Sequence, residues 1–372
     1  MSASAATSST KQPKLIPIGT HSLWICISGP VTESGSDNGF DHDPSRSPIV
    51  VIIPGGGDVA SSYVVLERLL RPFTRVLLYD RSGLGKSEKC PGPGPRPTPA
   101  KTDHIDVGAE YDERSTHSAE LLNSTSPSES SSGAVRAAAE LHSLLRALGL
   151  TGTDTSSNSS SPLILLAHSY GGIIAREFLH LYPETVSGMV LVDCSTERAS
   201  EFFSVPDANI AALLGDLNFA RVTGLRSSTV LSDDQWRVRA KEIYASGETG
   251  AAEAGGFAEV CECLMWKRQV ETQPLGDRPL LVLRANTAGD YERIYAAGIE
   301  AGNGSKEQRK AFRELLDRWD SVDEMLQREQ LRLSSNTRYV HLPDCGHHVH
   351  LIRPDAIVEA VRWVRERVLS RS

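Results

Sequence analysis

The sequence predicts an α/β fold in which a mainly parallel sheet carries helices on both faces. Three observations predict it. Apolar runs of strand length recur along the 372 residues, several of them without alternation, as strands buried on both faces require. Apolar residues at helical spacing fill the gaps between those runs. The strand and helix signals alternate, which favours parallel crossover units over a meander.

The strand signals fall, in order, at His21–Ser28, Pro48–Pro54, Thr74–Tyr79, Pro162–Ala167, Gly188–Asp193, Pro279–Arg284 and Thr337–Leu342. Helical faces lie between and after them. Leu141, Leu145 and Leu148 share one face, Ile174, Phe178 and Leu181 another, and Ile357, Val361, Val364 and Val368 a third. Residues 196–275 break the rhythm. They read as largely helical, with Leu213, Leu214, Leu217, Phe219, Trp236 and Trp266, and are expected to form a lid over the strand ends. A further helix is expected over about Lys306–Leu333, with Phe312, Leu315, Leu316, Trp319, Val322 and Leu326 on one face.

Three polar, low-complexity stretches, 31–47, 91–133 and 151–161, cannot bury enough apolar surface to fold alone and read as inserted loops. Residues 1–14 read as a disordered terminus. The organisation expected is therefore a core over 15–195, a helical lid over 196–275 and the rest of the core over 276–372.

The net charge of −8 and the lack of a basic block argue against a nucleic-acid or membrane partner. A small-molecule substrate is expected instead. No apolar run approaches the length of a membrane span, and the first residues lack a secretory pattern, so a cytoplasmic protein is expected. The six cysteines are scattered and read as free thiols. Cys261 and Cys263 form a C-x-C pair without nearby histidines, so zinc is not expected there.

The chemistry-bearing stretch is Leu163–Gly172, LILLAHSYGG. An apolar strand ends on Ser169, and a helical pattern starts directly after it. Small residues two before and two after the serine, Ala167 and Gly171, let strand and helix approach closely. This is the layout of a nucleophile elbow. Serine needs a base to take its proton and a third group to orient that base. The stretch Asp344–His350, DCGHHVH, follows the last strand and precedes the last helix. There Gly346 lets the backbone turn and project His347 as the base, with His348 and His350 as neighbours.

With these motifs in place the chain resembles the α/β-hydrolase superfamily over nearly all its length outside the inserts. Ile53–Gly57, IPGGG, looks like the family's oxyanion loop with Pro54 replacing its histidine. Tyr79–Ser87, YDRSGLGKS, looks like its D-x-R-G-x-G-x-S loop, with Ser82 and Gly83 at the central pair. Asp80 stands where a phosphate loop would need glycine, so Gly85-Lys86-Ser87 is no nucleotide motif. Arg81 and Ser87 read as braces of the loop. The resemblance implies an oxyanion hole from the Tyr170 amide and that of Gly56, with Gly57 as an alternative.

The acid has two candidate positions. Asp193 ends the strand after the elbow helix, with Glu197 close by, and Asp290 follows the next strand. Most of the family places the acid in the second loop, but lactonase-like and dehalogenase-like members use the first. Ala285-Asn286-Thr287 replaces the usual second-loop pattern. Asp193 is therefore preferred.

The resemblance implies a serine hydrolase, of esterase or lactonase type, acting on an ester, lactone or thioester of a hydrophobic molecule with no cofactor and no metal. The serine separates the chain from epoxide hydrolases and haloalkane dehalogenases, which carry aspartate at the elbow. Two alternatives remain: a serine aminopeptidase, and a weakly catalytic ligand-binding protein on the same fold. The inserts are similar to those of fungal relatives that act in natural-product pathways.

Overall fold

The computed structural model describes residues 13–30, 47–92, 132–151 and 161–371. The expected inserts fall almost wholly outside these residues, as does all but the end of the expected disordered terminus. Gly133, placed in an insert by the sequence, is instead the first residue of the helix Gly133–Ala147.

Among the described residues, eight strands form one sheet: β1 Lys14–Pro17, β2 Ser22–Ser28, β3 Ile49–Ile53, β4 Arg75–Tyr79, β5 Leu163–His168, β6 Val186–Val192, β7 Leu280–Ala285 and β8 Thr337–Leu342. Their order is β1-β2-β4-β3-β5-β6-β7-β8. The β1–β2 and β2–β4 pairings are antiparallel, and every pairing from β4 through β3 to β8 is parallel. The central strands β3 and β5 are buried at every residue, which is why their sequences run apolar without alternation.

Two apolar layers sandwich the sheet. One lies under the helices Gly133–Ala147 and Gly171–Leu181, with Leu141, Leu145, Ile174 and Phe178 buried in it. The other lies under Val64–Leu70 and Pro354–Leu369, where Ile357, Val361, Val364 and Val368 are buried as the spacing predicted.

The chain between β6 and β7 is helical. It runs through Ala199–Phe202, Ala208–Leu214, Phe219–Val222, Leu225–Ser228, Asp233–Ala245, Gly247–Gly255, Phe257–Met265 and Gln269–Thr272. Leu213 and Phe257 turn inward, whereas Trp266 is 46% exposed and does not serve as core. Two long helices, Thr287–Glu300 and Lys306–Glu329, follow β7. The second buries Phe312, Leu315, Leu316, Trp319 and Leu326. Among the described residues no helix is long and apolar enough to cross a membrane. All six cysteines are free.

Candidate active site

The site is built where β5 ends at the middle of the sheet. Ser169 follows β5 with φ +54°, a left-handed conformation that a non-glycine residue adopts at a cost. The turn is held by hydrogen bonds from the Ser169 amide to Val192 O (3.2 Å) and from the Ser195 amide to Ser169 O (3.0 Å). Gly171 is required immediately after it. A Cβ there would lie 2.4 Å from Ile53 O and 2.6 Å from Pro54 O. The helix Gly171–Leu181 then starts directly behind the serine, so its positive end faces any charge developing there.

The two aspartates that the sequence left open separate cleanly. Asp193, at φ +45° beyond the end of β6, lies 2.6 Å through Oδ2 from His347 Nδ1. Its Oδ1 accepts from the Ala285 amide at 2.8 Å, and its Oδ2 accepts from Thr287 Oγ1 at 2.6 Å. Asp290 instead accepts from the backbone amide of His347 at 2.9 Å and pairs with Arg293. Its carboxylate occupies the space that a side chain at Gly346 would need. Asp290 thus holds the backbone of His347 while Asp193 holds its ring. Glu197 is committed to a buried pair with Arg176 and takes no part.

Burial raises the carboxyl of Asp193, but the His347 ring and Thr287 outweigh it and keep the group below its ordinary value. Burial opposes charge on His347 as well; the hydrogen bond and charge of Asp193 more than offset that and raise the imidazole above its ordinary 6.5. Ser169 Oγ makes no hydrogen bond to the imidazole in this arrangement. Both residues line the same two cavities. Such bonds commonly tighten only when substrate is bound.

Gly56 and Tyr170 face each other across the turn, a Cβ on Gly56 being 3.4 Å from that of Tyr170. The amides of this loop differ in what they bond. The Gly57 amide donates to Glu253 Oε2 at 2.7 Å, and the Gly55 amide donates to Tyr63 Oη at 3.1 Å. Among the described residues the amides of Gly56 and Tyr170 have no hydrogen-bond acceptor. The loop is clamped from below. Arg81, 3% exposed, donates to Pro54 O and Gly55 O, both at 2.7 Å, and pairs with Glu253 of the helical insertion. Asp80 in turn accepts from the Ala60 and Lys86 amides, and Ser87 Oγ donates to Asp80 O. The bracing role read for Arg81 and Ser87 is what the structure shows, with Glu253 as a partner that local sequence did not reveal.

A cavity of about 400 Å³ opens from Ser169. Phe203, Val205, Ile210 and Phe257 of the insertion line it, with Tyr291, Trp319 and Leu326 of the two long helices opposite. A second cavity, also of about 400 Å³, lies on the other side and is bounded by Asp58, Asn218, Arg239 and His348. Two groups among the described residues could hold a metal ion by their spacing: Asp58, His168 and His350, and His21, Cys90 and Glu140.

Residues 50–360 match the model of the Alpha/beta hydrolase family. The chain belongs to that family. It is similar to an "AB hydrolase superfamily protein" of Gibberella zeae, 27% identical over 86% of each chain. It is also similar to a "Probable transporter efuK" of Hormonema carpetanum, 29% identical over 95% of this chain but only 42% of that one. The chain thus spans under half the length of that relative. Among solved structures, a thermophilic esterase from Thermogutta terrifontis shares the fold with a TM-score of 0.50 and 17% identity, over 96% of this chain and 99% of its own. Members of this family are usually hydrolytic enzymes.

Proposed function

We propose that the protein is a serine hydrolase that cleaves an ester, lactone or thioester of a hydrophobic small molecule. Ser169 attacks the carbonyl while His347 accepts its proton through Nε2. Asp193 holds Nδ1–H and stabilises the imidazolium that forms. The unspent amides of Gly56 and Tyr170 receive the oxyanion. His347 then protonates the leaving group, and water, deprotonated by the same ring, releases the acid from Ser169. The apolar cavity between the insertion and the two long helices accepts the larger part of the substrate. No step calls for a metal or cofactor. The protein is expected to act in the cytoplasm.

The single observation that carries this reading is the pairing of His347 Nδ1 with Asp193 Oδ2 at 2.6 Å on the wall of the cavity that Ser169 also lines. An ester panel graded by acyl length, run with wild type and Ser169→Ala, tests it. Turnover that rises with acyl size and falls by ~10⁴ or more in the variant supports it. Equal turnover by the variant ends it. A ligand-binding protein on the same fold would instead bind the longer esters without turning them over.

A further inference from the structure

Tyr63 and His168 sit behind the site and share a chain of hydrogen bonds whose direction follows from its carbonyl end. His168 Nε2 lies 3.0 Å from the carbonyl oxygen of His347. A carbonyl can only accept, so Nε2 carries the proton. Burial, reinforced by the nearby rings of His350 and His347, keeps His168 far from protonation, so its Nδ1 is a bare acceptor. Tyr63 Oη lies 3.1 Å from that Nδ1 and is the hydroxyl donor that meets it. The phenol oxygen in turn accepts from the Gly55 amide at 3.1 Å. The chain runs Gly55 N–H to Tyr63 O–H to His168 Nδ1, then His168 Nε2–H to His347 O.

Its four members come from the oxyanion loop, the first turn beyond it, the residue before the nucleophile and the base itself. They are 105 and 179 positions apart along the two longer links. We infer that Tyr63 and His168 are positioning residues that fix the oxyanion loop and the base loop against the nucleophile turn through this chain. The inference rests on Ser169 being the nucleophile and His347 the base. Ser169 occupies a strained turn, and His347 is anchored at its amide by Asp290 and at its carbonyl by His168. Both sides of the base's backbone are thereby held, and the ring is left to rotate only about its own bonds.

The spacing of Asp58, His168 and His350 invites a rival reading as a metal site. Both ring nitrogens of His168 are already committed, one to a phenol and one to a carbonyl. The His350 ring stacks on Tyr63 at 4.2 Å between centroids, and Asp58 accepts from Ser62 Oγ and the Val59 amide. An ion ligated by His168 would have to break one end of the chain, so the two readings exclude each other.

Tyr63→Phe keeps the ring and its stacking while removing the one hydroxyl. His168→Leu removes both links, and His168→Gln can keep the donation to His347 O. The expected result for Tyr63→Phe is a kcat lowered ~10-fold, and for His168→Leu ~100-fold, with KM within about twofold of wild type. His168→Gln recovers part of the loss. Adding Tyr63→Phe to His168→Leu costs less than about twofold more, because the link is already gone. The rate of Ser169 modification by a fluorophosphonate falls in step with kcat. Thermal midpoints identify variants that simply misfold, and Tyr63→Phe alone decides the matter if His168→Leu does not fold. Wild-type kcat in a folded Tyr63→Phe, or full additivity of the pair, overturns the inference while an inactive Ser169→Ala leaves the underlying reading intact. Activity lost to EDTA and restored by zinc also overturns it, in favour of the ion. An active Ser169→Ala removes the reading beneath it.

Discussion

Asp193→Asn and Asp290→Asn divide the roles of two carboxylates that both touch His347. In wild type, Asp193 Oδ2 lies 2.6 Å from Nδ1 and is fixed by the Thr287 hydroxyl, while Oδ1 is fixed by the Ala285 amide. An asparagine there can give its one oxygen to Ala285 and must then present its NH₂ to the ring. That forces Nδ1 to be bare and Nε2 to carry the proton, the tautomer that cannot accept from Ser169. It also removes the negative charge that stabilises the imidazolium. A wrong tautomer of this kind costs ~10⁴ in kcat, or about 5 kcal/mol of barrier. Asp290 Oδ2 only accepts from the His347 amide at 2.9 Å. Asparagine can present its oxygen to the same amide, so Asp290→Asn should cost roughly 1 kcal/mol, less than about tenfold. The assay is kcat and kcat/KM on a p-nitrophenyl ester, with thermal midpoints as a control on folding. A folded Asp193→Asn within tenfold of wild type, or a larger loss in Asp290→Asn, refutes the assignment.

Three further outcomes are expected. Because Asp193 raises the His347 imidazole, and the base must be neutral to act, kcat/KM should fall as pH drops through a midpoint above 6.5, the ordinary histidine value; a pH profile with its acid limb centred below that value contradicts it. Gly171→Ala drives a Cβ to 2.4 Å from Ile53 O, a backbone atom that cannot swing aside, and should cost ~2–3 kcal/mol and lower the thermal midpoint by roughly 3–5 °C, which calorimetry would show. Glu253→Ala strands the buried Arg81 guanidinium and frees the Gly57 amide, and should cost about 3 kcal/mol by denaturant titration together with a fall in kcat.

The elements legible in the sequence were those whose signal is local. The seven strands expected from apolar runs are all present, with ends shifted by two residues at most. The eighth, Lys14–Pro17, has four residues and a single buried one, Ile16, so it carries no periodicity to read. The helix Thr287–Glu300 opens on Thr-Ala-Gly-Asp, a sequence that reads as loop, and its capping comes from Asn286. Asp290 therefore looked like a loop carboxylate when it is a first-turn helix residue. The turn at Ser169 and the glycine before His347 could be read because each needs its special residues within a few positions. Asp193 and Asp290 could only be ranked, because which of them meets the His347 ring depends on how β6, the Thr287 hydroxyl and the His347 loop meet in space. Glu253 was invisible for the same reason: its partners Arg81 and Gly57 lie 172 and 196 positions away.

A fluorophosphonate probe, followed by peptide mass mapping and a multiple-turnover ester assay, tests the central claim most directly. The account predicts a single modified residue, Ser169, and loss of ester turnover in proportion to the fraction modified. Modification elsewhere with Ser169 untouched, or full turnover after Ser169 is blocked, would contradict it.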